Sequence, residues 1–172
     1  MPPCSPVTHK FADDGRIPNN SVLPLIFYRN GIDLTGSPDP EDVIEKTFAS
    51  NGWGHMWRNG IYPYAHYHSM IHEAMGIARG RATVRFGGVN GQEIEVVPGD
   101  VVVLPAGTGH QCLTQTPTLV VIGAYPPSGK YNLCRGSKAE HAKALLSIPK
   151  VPLPATDPAF GPDGPLLALW QA

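Results

Sequence analysis

Charge is scarce in this chain. Charged residues are 16% of the 172, and the formal net charge is −1. A typical domain carries about 25%. There is no basic field to hold nucleic acid or an anionic membrane surface, so neither is an expected partner. Long apolar runs are missing too: nothing approaches the ~18 residues of a membrane-crossing helix. The opening MPPCSPVTHKFADDG has no apolar leader core, so a secretory signal is not expected. Cysteine is limited to Cys4, Cys112 and Cys134. An odd, widely spaced set is no disulfide framework and fits a reducing cytoplasm. Aromatics are only 8%.

What the chain has in quantity is turn formers, 19 Gly and 19 Pro. With one domain's length and no tandem repeat, they point to an all-β domain of short strands. Residues 1–20 read as a loosely packed polar arm. Val22–Tyr28 has strand length, and Pro24 within it suggests a sheet edge. Asp39 to Ser50 reads as a helix, capped by Asp39, started by Pro40 and ended at Asn51-Gly52. Ala82, Val84 and Phe86 alternate with polar residues, as a half-buried strand does, and Gly87–Gly91 is a hairpin turn. Val101–Leu104 and Leu119–Ala124 are continuous apolar runs of strands buried on both faces. Ser137 and Glu140 form a capping box opening a second helix, which Pro149 stops. The tail ends in Leu166-Leu167-Ala168-Leu169-Trp170, an apolar segment that must dock, on this chain or on a partner.

The chemistry concentrates between residues 55 and 72, which hold four of the seven histidines. On an extended segment His66 and His68 point to one face, ~6.6 Å apart, while Tyr67 points away. Glu73 follows a short turn and can add an anionic ligand. His110 comes just after the turn Pro105–Gly109. Three imidazoles and a carboxylate suit one divalent transition metal: iron, manganese, cobalt, nickel, copper or zinc. Imidazole ligands must be neutral, so affinity should fall below roughly pH 6.

The glycines add a pattern. One segment reads Gly60-x5-His66-x-His68-x4-Glu73-x6-Gly80, the other Gly99-x5-Pro105-x-Gly107-x2-His110. These resemble the two motifs of the cupin superfamily, nine positions in order with 18 residues between the motifs. Thr114 stands where the second motif usually has Asn, a residue that is not a metal ligand in such proteins. Residues 57–62, His72 before Glu73, and residues 163–170 extend the resemblance to the YjlB-like cupins.

The resemblance implies a jelly-roll barrel (a double-stranded β-helix) of the RmlC-like type, with the metal inside. It further implies a homodimer. A single domain over 1–172 is expected, with an N-terminal helix-bearing extension at 1–59. The barrel core takes 60–126, and the C-terminal helix and docking tail 127–172. It does not fix a reaction. The expected function is a metal-dependent oxidoreductase of dioxygenase type acting on a small polar molecule. The alternatives are a metal-dependent isomerase or lyase using Lewis-acid chemistry, or a non-enzymatic small-molecule or metal-binding module.

Around the metal, Tyr62, Tyr64 and Cys112 share parity with the ligands and should face inward, Tyr62 and Cys112 as pocket residues. Tyr64 and His72 are candidates for acid/base catalysis, although strict alternation turns His72 away from the metal. Arg79, Arg81 and Arg85 are a candidate anion-binding edge. Trp53, Trp57 and Trp170 read as packing anchors, and His9, His55 and His141 have no supporting context.

Overall fold

A computed structural model of the chain describes residues 5–171. Cys4 and Ala172 lie outside the described residues; Cys112 and Cys134 are buried free thiols.

Among the described residues, nine strands and three helices follow one another. They are β1 (Val7–His9), β2 (Leu25–Tyr28), α1 (Pro40–Ser50), β3 (Gly54–Asn59), β4 (Glu73–Arg79), β5 (Ala82–Phe86), β6 (Gln92–Val96), β7 (Val101–Leu104), β8 (His110–Gln115), β9 (Val120–Tyr125), α2 (Lys138–Ser147) and α3 (Pro165–Leu169). All strand pairs are antiparallel. One sheet has six strands in the order β1-β2-β7-β4-β9-β3, the other three in the order β6-β5-β8. This is the two-leaved all-β jelly roll that the sequence suggests. Among the described residues no helix is long and apolar enough to cross a membrane.

Strand parity sorts the side chains into two cores. Between the leaves, Phe27, Met75, Ile77 and Val102 of the large sheet meet Val84 and Phe86 of the small one. On the outer face of the large sheet, Ile26, Tyr28, Val103 and Ile122 pack under α1 and the C-terminal tail. Both faces of β2 and β7 are therefore buried, which is why those strands read as unbroken apolar runs.

The Asp39 side chain accepts from the Asp42 N–H at 3.0 Å and caps α1. The helix buries Ile44 and Phe48, each worth about 1.5–3 kcal/mol. They lie directly over Gly76, where a Cβ would come within 2.6 Å of Ile44. The α2 capping box forms as expected.

Three expectations are corrected. β2 is not an edge, because β1 pairs with its outer side; Pro24 precedes the strand and costs it no ladder bond. Residues 5–20 of the expected arm are not loose: they supply β1 and bury Ile17, Asn19 and Asn20, and residues 1–4 lie outside the described residues. The candidate arginine edge is spent on ion pairs, Arg79 with Glu41, Arg81 with Glu95 and Arg85 with Glu93.

The tail docks on its own barrel. Trp170 Nε1 donates to the Pro24 carbonyl at 2.9 Å. Asp157, fully buried, accepts from the Tyr28 hydroxyl and from the N–H groups of Ala159, Phe160 and Leu166.

Candidate metal centre

Residues 66–68 run extended beside the start of β8. His66 and His110 exchange both backbone hydrogen bonds, at 3.2 and 2.9 Å. Tyr67 does the same with Cys134 and faces away into a separate apolar cluster. His66 and His68 thus face one side, where His110 joins them from β8. One ring nitrogen of each of the three lies within 4.8 Å of the others. From the opposite leaf comes Glu73, which shares the inner face of β4 with Met75 and Ile77. Its Oε2 is 3.3 Å from His68 Nε2 and its Oε1 3.4 Å from His110 Nε2. All four side chains are buried.

The outer nitrogen of each imidazole is already engaged. The Nδ1 atoms of His66, His68 and His110 lie 3.0, 2.6 and 3.1 Å from the carbonyls of Tyr64, Asn132 and Thr108. Each Nδ1 therefore carries the proton, and each Nε2 lone pair is aimed inward, as a metal ligand requires. Burial, followed by the neighbouring His110, pushes His66 down to about 3, which keeps it neutral. Burial alone would raise Glu73, but contact with His68 and His110 outweighs it and holds the carboxyl well below its usual range. Burial likewise opposes charge on His68, and Glu73 overcomes it and raises the imidazole. Glu73 Oε1 has no hydrogen-bond partner among the described residues. A buried carboxylate oxygen left orphaned among three inward lone pairs fits a cation, so this cluster could hold a metal ion.

The turn carrying His110 is clamped from several sides. The Gly107 N–H donates to His68 O at 2.6 Å and the Ala106 N–H to His72 Nδ1 at 2.9 Å. Asn20 Nδ2 reaches Ala106 O at 3.0 Å. Asn19 accepts from the Gly109 N–H at 3.0 Å and donates to the carbonyls of Ala12 and Gly87. Replacing Asn19 by alanine strands these buried groups. A loss of roughly 2–4 kcal/mol in unfolding free energy is expected. Metal affinity should also fall about tenfold, as for a partner that orients a ligand; denaturant melts and chelator competition measure the two.

The cluster is at the floor of a cavity of about 940 Å³ that opens to solvent. Tyr62 lines it, half-exposed at the mouth, with its ring 5.2 Å from His66. Tyr64 stacks on Tyr62 at 4.9 Å, under the Arg135 guanidinium, and is not part of the lining. His72 does not reach the cavity. It shares the outer face of β4 with Ala74 and packs against Trp170, ring centroids 4.8 Å apart. Burial pushes it down to about 4, so it is the neutral acceptor of the Ala106 N–H. Its place is therefore behind the turn that carries His110, outside the cavity lining. Cys112 is buried in the inter-sheet core, where its one S–H has Thr114 O and Gln115 Oε1 within reach as acceptors. Burial pushes that thiol up, and Gln115, not Cys112, lines the cavity.

Sequence reasoning missed much of the wall. Trp57, expected only as a packing anchor, lines the cavity and donates from Nε1 to the Tyr125 hydroxyl at 2.9 Å. Its ring lies where a Cβ on Gly123 would be, 1.9 Å away. Tyr125 sits on the inner face of β9; burial, then the neighbouring Glu73 charge, push its phenol up. Tyr131, Lys130 and His55 complete the side toward the mouth. Only the alternation of β9 could have flagged Tyr125, and its continuous apolar run hid that.

The two-leaved sheet and an inward His-His-Glu-His set in the matching motifs define a cupin. The chain belongs to the YjlB family of cupins. It is 40% identical over 163 residues to Uncharacterized protein YjlB of Bacillus subtilis (strain 168), covering 95% of each chain. No family model matches. Among solved structures it is similar to acireductone dioxygenase from Bacillus anthracis, which has a cadmium ion in its active centre. That match has 17% identity and a TM-score of 0.40, and covers 72% of this chain and 80% of the other. A second is dTDP-6-deoxy-D-glucose-3,5-epimerase RmlC from Legionella pneumophila Philadelphia 1. It has 12% identity and a TM-score of 0.38, and covers 74% of each chain.

Proposed function

We propose that this cupin is a mononuclear metal-dependent oxidoreductase of dioxygenase type, with His66, His68, His110 and Glu73 as the ligands. The observation that carries the reading is a four-ligand cluster on the floor of an open cavity large enough for a substrate. A plugged barrel would favour a mere binding module; here the tail docks on the outer face of the large sheet and leaves the cavity clear. When bound, iron or manganese would supply electrons to dioxygen, whereas zinc would polarise a carbonyl.

The chain's own residues supply the rest. Tyr62, Tyr131 and Trp57 orient a ligand and exclude water. Tyr125 accepts from Trp57 and therefore keeps its own O–H free to donate toward the floor. That protonated phenol also favours a second reading, an isomerase or lyase in which proton transfer suffices and dioxygen is not needed.

Metal content per chain, after purification without chelator, is the test. About one iron, manganese or copper supports the first reading. Zinc or nickel, with turnover that ignores oxygen, moves the assignment to the second. No metal after reconstitution at neutral pH overturns both.

A further inference from the structure

We infer that the cavity takes an organic anion with a planar, apolar body, its acidic group at the floor and its body between Tyr62 and Tyr131. The inference rests on the metal reading of the floor and adds the class of ligand.

Charge is the first argument. Glu73 is the one carboxylate among the residues lining the cavity, and Lys130 the one lysine or arginine. Three neutral imidazoles and one carboxylate leave a divalent ion with an uncompensated positive charge. Lys130 adds another, and no ion pair among the described residues involves it. Its main chain is fixed by donation to the Met70 carbonyl at 3.0 Å, so the ammonium springs from an anchored point. A neutral ligand would leave the charge at the floor unanswered; a carboxylate answers it with a charge-assisted bond, and Lys130, on the side toward the mouth, attracts the same anion through its field.

Shape is the second argument. Tyr62 and Tyr131 are 45% and 51% exposed, and both line the cavity. Tyr62 meets His66 edge-on, with ring centroids 5.2 Å apart, and Tyr131 is tilted against His68 at 5.1 Å. The two rings thus flank the His66–His68 pair at the mouth; Tyr64 stacks on one face of Tyr62, and each ring still keeps about half of its surface open. Deeper in, Met75, Leu119 and Ile61 are apolar. Exposed aromatic faces gathered at one opening mark a contact surface, and flat rings pair best with flat partners.

The test uses the full chain loaded with zinc, which binds without redox chemistry. Calorimetric titration compares 2-naphthoate with 2-naphthamide, which share a body and differ in charge. The acid is expected to bind at least about tenfold more tightly. Lys130→Gln should weaken the acid about fivefold and leave the amide within about twofold. Tyr131→Ala should weaken both probes alike. Equal binding of acid and amide, no binding of either, or a Lys130→Gln effect of the same size on both overturns the inference. Zinc content of the same sample separates the failures. Protein that refuses zinc sinks the metal reading, and the Lys130→Gln comparison on that metal-free protein then decides the anion class alone. Loaded protein without discrimination sinks the anion class and leaves the metal.

Discussion

Replacing His110 by alanine is expected to leave a folded protein that binds metal at least about 100-fold more weakly. His110 closes the site: its Nδ1 is 3.1 Å from the Thr108 carbonyl, and its Nε2 stands 3.4 Å from Glu73. Loss of a residue that merely orients a ligand costs about 10–100-fold in metal affinity, so loss of a ligand should cost about 100-fold or more. The readout is thermal. A metal that binds only the native state, at 100 times its dissociation constant, adds about 2.7 kcal/mol to the stability of the wild-type chain. The variant should show no such gain at the same concentration. Backbone pairing of residue 110 with His66 does not need the imidazole, so the metal-free variant should still melt cooperatively. A variant that keeps the full metal-dependent rise would remove His110 from the ligand set.

Trp170→Ala is the largest expected loss of stability. The ring is 2% exposed and packs in the outer core with Ile26, Ile44, Phe48 and Leu166. Truncating a buried tryptophan typically costs about 3–5 kcal/mol, and the Pro24 carbonyl loses its donor as well. For a chain of this length that is roughly a 10–15 °C drop in Tm. Trp170→Phe keeps most of the volume and should lose about a third as much. A drop below about 3 °C for the alanine variant, by calorimetry, would mean the tail does not dock in solution. The same ring backs His72, which takes the Ala106 N–H, so metal binding by the alanine variant should weaken too.

The candidate cluster was legible because three of its members are close in sequence and His110 falls in the second motif. A two-residue step places His66 and His68 together, and strand parity sends Glu73 in and His72 out. The pocket wall was not. Trp57 meets Tyr125 through the pairing of β3 with β9, a contact across 68 positions that no short window carries. Lys130 and Tyr131 lie in a loop held by one main-chain bond, from Lys130 N–H to the Met70 carbonyl. The N-terminal arm misled for a related reason. Asn19 and Asn20 are buried through hydrogen bonds to backbone, and hydropathy reads such residues as surface. Pro24 misled through its position, one residue ahead of the strand rather than in it.

The proposed ligands belong to different leaves. His110 opens β8 of the small sheet, with His66 bridged to it, and Glu73 opens β4 of the large one. Any ion they share is a rivet through both. Slow opening of the barrel would then be governed at that one point, and amide exchange in β4 and β8 should respond in step to loading, although the two strands are not neighbours in either sheet.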